Sequence, residues 1–510
     1  MSSSEAFGVA RRANVGRTWF YAQAVLIICL AVAIRAYAIG QQPLWMDELF
    51  SRYYVDLFGL KFLWTTGFTR ENSPPLYYMA IAGWMQLFGT GEAAMRSLSL
   101  AASVLAMPLI YLIGKELFDQ RHGLIAALIF ALSPMQVSFA QEARTYALLL
   151  IPLSMSLLAI AHFLRGDTRP RVLCLYGVGT IVALYCHATA AFFIAACNIA
   201  VFVAIATNRM IDRRAAMIRW IGTNVVVALL AIPELVAMLL QGRHGAGLEW
   251  IPRFRPVDVV RALSPVISGI TTPDRFPGAE LSLLLVATIV GALIATNLPR
   301  RAGIVLVAIP ALFVALIAGI SLLQPIFLSR VFCWLGVPLA LLLAHVIVIP
   351  SRLRPVVVVV AAVTCVTGLF YQFTVSQKEP WRDVFDQIGS QLAVADDVVL
   401  APMTDPTAFA YYAPYLTRLQ MWDAGPHDDV ENDDMPRRLG VHFVSRTQLI
   451  DEIRSGANVW LVLRTPDISY VNALLDQVPR PRVQIERSCG AQLCIAALSW
   501  PRPAGNLDSK

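Results

Sequence analysis

The feature that most constrains this chain is the recurrence of apolar runs without a charge, each about as long as a bilayer core is thick. Leu281–Thr296 and Val356–Phe370 contain no Asp, Glu, Lys or Arg, and comparable runs recur along most of the 510 residues. A soluble domain carries roughly 25% charged residues; this chain carries 15%, with 57% hydrophobic residues and a mean hydropathy of +0.61. A large soluble core would interleave its apolar stretches with polar faces, and these stretches are not interleaved. The expected fold class is therefore an all-α polytopic membrane domain.

The formal charge of +7 does not point to nucleic acid, because the basic residues form no stripe. They sit in short clusters between apolar runs: Arg11, Arg12 and Arg17; Lys115 and Arg121; Arg165, Arg169 and Arg171; Arg209, Arg213, Arg214 and Arg219; Arg300 and Arg301; Arg352 and Arg354. Such clusters mark cytoplasmic loops. About eleven spans fit between them, at 19–39, 97–114, 122–139, 146–164, 172–186, 189–207, 220–239, 281–297, 303–322, 331–349 and 356–373. With the amino terminus cytoplasmic, an odd count puts the carboxyl-terminal tail outside, in the periplasm if the membrane is a bacterial inner membrane. The stretch 241–280 falls outside despite Arg243, Arg253, Arg255, Arg261 and Arg275, since long loops obey the charge rule weakly. The first run, Trp19–Gly40, exceeds the roughly 7–15-residue apolar core of a secretory signal and reads as an uncleaved span.

Two regions depart from the pattern of spans. The loop 41–96 is too apolar for a connector. Its segment Leu76–Phe88 covers about 20 Å as a helix, short of a roughly 30 Å core. Together with Trp45, Tyr53, Tyr54 and Trp64, it reads as helices lying in the interface, the second beginning at Pro74-Pro75. After residue 373 the texture becomes that of a small α/β domain, 374–510. An amphipathic helix is expected at Trp381–Leu392, buried strands at Val398–Pro402 and Val459–Leu463, a helix at Ile468–Gln477 and an acidic loop at Asp428–Asp434. Cys29, Cys174, Cys186, Cys197, Cys333 and Cys365 lie in or beside apolar runs and read as small hydrophobes. Cys489 and Cys494, in the polar tail, are candidates for a local disulfide.

Chemistry-bearing residues concentrate near one membrane face. Asp47 and Glu48, in Trp45-Met46-Asp47-Glu48-Leu49, are adjacent carboxylates in an aromatic stretch at a membrane surface, which is costly unless used. Adjacent helical side chains diverge by about 100°, so Asp47 could serve as a base while Glu48 caps, pairs or faces water. A helix-start acid pair favoured by the macrodipole accounts for both equally well. Glu142, Arg144 and Tyr146, in Gln141-Glu142-Ala143-Arg144-Thr145-Tyr146, follow the third span. A guanidinium there suits a phosphate, and an ion pair or headgroup anchor is the plainer reading. Arg330 is a second candidate phosphate ligand, unless it snorkels. His187, in Tyr-Cys-His-Ala-Thr, ends a span, where a lone histidine is usually structural.

In this order the residues resemble the GT-C membrane glycosyltransferases, specifically the bacterial members similar to protein O-mannosyltransferases and the lipid A aminoarabinose transferase. The Asp47-Glu48 pair matches that family's acidic pair in the first external loop. Ser73-Pro74-Pro75-Leu76-Tyr77-Tyr78 matches a His-Pro-Pro-Leu-Tyr-Tyr segment, with Ser73 in place of the histidine. Ser133-Pro134 leading to Glu142 and Arg144, the Pro-x-x-x-x-Arg element ending at Arg330, and Trp381-Arg382-Asp383 extend the likeness along the chain.

The resemblance implies a membrane-bound inverting glycosyltransferase with a polyprenyl-phosphate sugar donor and an active site between the first two external loops. Asp47 would be the base, with Glu48 beside it. Glu142, Arg144, Tyr146, Arg330, Tyr77 and His187 would line the donor phosphate and substrate site. The acceptor could be a lipid, a glycan or a protein. No cofactor is predicted, although Asp47, Glu48 and Glu142 could share a divalent ion. A transporter or flippase for a lipid-linked substrate is the alternative, weakened because the notable charges cluster at one face and no internal repeat is visible.

Overall fold

In the computed structural model, residues 3–64, 73–207, 212–243, 251–271 and 276–389 are described, and beyond them 397–400, 406–414, 418–423, 434–456, 458–464, 474, 476–479, 483–489 and 494–500. The chain divides into two compact units. One is Met1–Ile39 with Leu60–Phe373, and the other is Gly40–Gly59 with Thr374–Lys510.

The first unit is helical. Its helices are α1 (Ser3–Ala36), the last residues of α2 (Met46–Leu63), α3 (Pro75–Phe88), α4 (Glu92–Leu117), α5 (Gln120–Leu132), α6 (Pro134–Ala140), α7 (Thr145–Leu164) and α8 (Pro170–Cys186). They continue as α9 (Ala190–Thr207), α10 (Arg213–Arg243), α11 (Val257–Ser268), α12 (Gly278–Thr296), α13 (Arg300–Ser321), α14 (Gly336–Val348) and α15 (Arg354–Thr374). Among the described residues, nine helices are long and apolar enough to cross a membrane, or ten if the bent pair α5–α6 counts as one span. The chain is a multi-pass membrane protein.

Each of the eleven expected spans falls on a helix, with two corrections. Residues 122–139 are not one helix but α5 and α6, bent by 64° at Ser133-Pro134. Proline has no N–H to continue the ladder, and the residue before it is pushed out of the α region; Ser133 is extended, at φ −64° and ψ 118°. Residues 172–186 belong to α8, whose 17 residues rise only about 25 Å. Among the described helices of this unit, the sequence gives no expectation of α11, inside the long loop 241–280.

The α5–α6 break leaves carbonyls that α5 would otherwise have bonded internally. Arg35, in the last turn of α1 and fully buried, donates to the carbonyls of Ala131 (2.9 Å) and Phe130 (3.1 Å), and to the Ser103 hydroxyl (2.9 Å) on α4. Gln141, just past α6, donates to the carbonyls of Arg35 (3.0 Å) and Tyr37 (2.6 Å) and accepts from Gln372 on α15 (3.2 Å). Three helices are thus tied to the segment that leads into Glu142 and Arg144.

The same segment is packed by glycine. Gly269 ends α11 at φ +73°, and a Cβ there would lie 2.6 Å from Pro134. On Gly368 of α15, a Cβ would overlap the Ser268 carbonyl oxygen and the Pro134 ring.

In the second unit, α2 begins at Met46 and runs to a break at Gly59, where φ is +73° and ψ is 168°. The tail supplies α16 (Trp381–Gly389), α17 (Pro406–Tyr412), α18 (Asp434–Arg438) and α19 (Arg446–Arg454). Its strands are β1 (Asp397–Leu400), β2 (Leu419–Asp423), β3 (His442–Ser445), β4 (Val459–Arg464), β5 (Val483–Cys489) and β6 (Cys494–Trp500). They form one sheet in the order β3-β2-β1-β4-β6-β5. The first four are parallel, and β6 and β5 join antiparallel. The expected α/β character is present, and β1, β4 and α16 match expected elements. Most of the expected helix at 468–477 and all but the last residue of the acidic loop at 428–434 lie outside the described residues. Cys489 and Cys494 are Cα partners across β5–β6, and their side chains lie outside the described residues.

Close packing around Pro134 yields a test. Gly368→Val should lower stability by about 3 kcal/mol or more, read as a lost melting transition and aggregation on size exclusion in detergent. Gly319→Ala, where a Cβ meets nothing within 4 Å, should be neutral or stabilising by up to about 1 kcal/mol.

Candidate active site

Within the helical unit, three separate segments come together at His187, its own link included. Arg144 precedes α7 as its N-cap, in an extended conformation (φ −139°, ψ 165°). Arg330 lies in the short 3-10 turn Ser329–Leu335 that leads into α14. His187 stands in the short link between α8 and α9. Both guanidinium charges act on the His187 ring, and together with burial they hold its imidazole down at about 4, burial contributing most. Tyr146, in the first turn of α7, packs on His187 with ring centroids 5.8 Å apart. Glu142 lies within electrostatic reach of Cys333, in the same turn as Arg330.

Local bonds fix this geometry. Thr145 donates to the Cys186 carbonyl at 3.0 Å, fastening the start of α7 to the end of α8. His187 Nδ1 meets the Thr189 hydroxyl at 2.8 Å. Gln136 on α6 donates to the Cys333 carbonyl at 2.7 Å, so the bent helix also positions the Arg330 turn. Glu142, Arg144, His187 and Arg330 are all partly exposed. Such a group of cations and polar rings can receive an anion. Tyr77 is buried on α3, its ring 6.0 Å from that of Tyr78.

The paired carboxylates belong to the other unit, where they take different environments. Glu48 is fully buried and bound by Lys378 Nζ at 2.8 Å. It also accepts weakly from the Trp45 N–H (3.4 Å), in the manner of a capping-box acid. Asp47, one residue earlier, is partly exposed. Of the alternatives open to Glu48 in the sequence, pairing with Lys378 and capping of the helix start are both present, and facing water is not.

The helix start is held by a residue that the sequence reading did not single out. Glu379 is 2% exposed and accepts from the Met46 N–H (3.2 Å), the Trp381 indole (2.7 Å) and the Arg464 guanidinium (2.6 Å). Lys378, Arg464 and Arg35 were missed likewise. The signal for Arg35 was available, since a charge inside a span is a functional candidate by default. Lys378-Glu379 also had one: a charged pair directly before Pro380-Trp381 at the end of the last span. Among the described residues, no three carboxylate, histidine or cysteine side chains converge as a metal site.

Two measurements check these environments. Lys378→Ala removes the Lys378 ammonium from buried Glu48 and should cost about 3–5 kcal/mol; adding Glu48→Gln should recover part of the loss in melting experiments. The depressed His187 value gives a pH signature. Between about 4 and 6.5 the unfolded chain binds a proton that the folded chain refuses. Stability is therefore full above that window and falls as the pH drops through it. From pH 7 to pH 5, wild type should lose about 1 kcal/mol more than His187→Asn, a figure reduced for the exposed part of the ring.

Residues 72–236 match the family described as dolichyl-phosphate-mannose-protein mannosyltransferase. No curated protein sequence matches the chain. Apo ArnT from Cupriavidus metallidurans is similar at a TM-score of 0.57 and 14% identity, over 95% of this chain and 98% of that one. The archaeal oligosaccharyltransferase AglB from Archaeoglobus fulgidus, solved with an inhibitory peptide and a dolichol-phosphate, gives a TM-score of 0.50 at 13% identity, over 91% of this chain and 71% of that one. The helical unit, the α/β tail and these likenesses together establish that the chain has the GT-C fold of membrane glycosyltransferases.

Proposed function

We propose that this protein moves a sugar, with inversion, from a polyprenyl-phosphate carrier to an acceptor of the bacterial cell envelope, at the periplasmic face of the inner membrane. The observation that carries the reading is the convergence of Arg144, Arg330 and His187, with Tyr146, at the ends of spans opposite the basic clusters. The matched family acts on a dolichyl-phosphate sugar by its description, and the archaeal neighbour was solved with a dolichol-phosphate.

In this mechanism an acceptor hydroxyl attacks the anomeric carbon as Asp47 takes its proton. The bond from that carbon to the phosphate oxygen breaks through an oxocarbenium-like transition state. The leaving phosphate gathers negative charge, which Arg144 and Arg330 stabilise. Partial exposure of Asp47, against the burial of Glu48 on Lys378, favours Asp47 as the base. His187, held neutral by its surroundings, donates or accepts a hydrogen bond at the phosphate or sugar. The acceptor is a lipid such as lipid A, a polysaccharide, a glycolipid or a protein hydroxyl. With the tail outside, Cys489 and Cys494 would meet an oxidising compartment, where a disulfide between them is expected.

The test uses membranes carrying wild type, Asp47→Asn or Arg330→Ala and a panel of radiolabelled polyprenyl-phosphate sugars. Label is followed into lipid, polysaccharide and protein fractions. Wild type should transfer label, and Asp47→Asn, equally expressed, should transfer roughly a hundredfold less or worse. Arg330→Ala should lower the rate by a comparable order. Undiminished transfer by Asp47→Asn would remove it as the base. No transfer by wild type from any donor, with flux of the lipid-linked sugar across the bilayer, would replace the reading by transport.

A further inference from the structure

A groove separates α8 from α10 on the outside of the helical unit, away from His187. It has a volume of about 760 Å³, and its walls are apolar, from Leu173 to Val182 on α8 and from Val226 to Leu230 on α10. Arg169 and Arg219 line one end. Arg219 donates to the Thr168 hydroxyl, which brings its guanidinium level with the start of α8. Arg169 pairs with Asp167 while remaining 61% exposed. Arg171, Arg213 and Arg214 stand exposed near the same helix ends.

Gly177 opens the groove. A Cβ there would be at ordinary contact, 3.8 Å from Val227 and 3.9 Å from Thr223, so a longer side chain would extend into the space. From Leu173 to Val182 a helix rises about 14 Å, close to half of a roughly 30 Å hydrocarbon core.

We propose that this groove is a binding site for an anionic glycerophospholipid of the leaflet at the basic helix ends, with one acyl chain along Gly177 and its phosphate on Arg169 and Arg219. Three observations favour that occupant. The walls are apolar where a chain would lie, the charge at the mouth is positive, and the depth is that of a single leaflet. A zwitterionic lipid satisfies only the first and third. A polyprenyl tail is far longer than the groove and would carry its phosphate at the other face under the proposed function. Each arginine near an anionic headgroup is worth roughly a fivefold preference, and Asp167 offsets part of one.

The experiment uses the full chain in nanodiscs doped with phosphatidylglycerol or phosphatidylcholine bearing a diazirine on an acyl chain. Crosslinked peptides are mapped by mass spectrometry. Phosphatidylglycerol should label the peptides containing Leu173–Val182 and Val226–Leu230 roughly tenfold more than phosphatidylcholine does. Arg169→Gln with Arg219→Gln should reduce that labelling to the phosphatidylcholine level, whereas the paired lysine substitutions should keep the preference. Gly177→Leu should abolish groove labelling with either lipid while labelling of the exposed face of α12 persists. Equal labelling by the two lipids in wild type, or labelling spread evenly over all lipid-facing helices, would overturn the proposal. So would displacement of phosphatidylglycerol from the groove by polyprenyl phosphate, because it would make the groove a carrier-tail site.

Discussion

The bond set of Arg35 is what the rest of the helical unit depends on. In hydrocarbon, no backbone carbonyl can turn to water, so a broken helix survives only where protein groups bond the carbonyls it frees. Ser133-Pro134 breaks α5 from α6, and the Arg35 guanidinium accepts that burden by donating to Phe130 and Ala131. A cation inside a span is itself costly, so each feature makes the other tolerable. Beyond the bend, α6 delivers Gln136 to the Cys333 carbonyl and Gln141 to the end of α1. The positions of Glu142, Arg144 and the Arg330 turn all follow from that one break.

The second unit solves a different problem, which is to start a helix on paired carboxylates. The first N–H groups of any helix lack internal partners. In α2 the Met46 N–H goes to Glu379, itself fixed by Arg464 and the Trp381 indole. Glu48 is buried on Lys378. Consecutive tail residues, Lys378 and Glu379, therefore hold opposite charges against one helical turn. That explains why Gly40–Gly59 belongs with the tail although nearly the whole helical unit separates them in sequence.

Much of this was legible in the sequence because lipid imposes simple rules. Apolar runs of span length located the described helices long and apolar enough to cross a membrane, and Pro74-Pro75 marks the start of α3. The break at Ser133-Pro134 was equally written, yet apolar periodicity alone reads 122–139 as continuous, since hydropathy does not register a lost N–H. The candidate site residues in loops beside spans stand out by type: Arg144 and Arg330 as cations at span ends, His187 less so because a lone histidine there is usually structural. Missed were groups whose meaning depends on a distant partner. Glu379 stands in a charged pair before Pro380-Trp381, but its role shows only once Met46 and Arg464 are beside it, and β2, β3 and β5 mix polar with apolar residues and do not stand out from the tail.

The electrostatics around His187 carry the last step. Burial and, after it, the charges of Arg144 and Arg330 keep the His187 imidazole from taking a proton. A charged phosphate is attracted by both cations beside this neutral ring. Under the proposed function the charge on that phosphate is greatest once the sugar has left, when a monoester dianion replaces a diester monoanion. Cations fixed in place before the reaction therefore favour the products of bond cleavage over the bound donor. They need no reorganisation to do so, because Thr145, Gln136 and the α5–α6 bend already hold their segments.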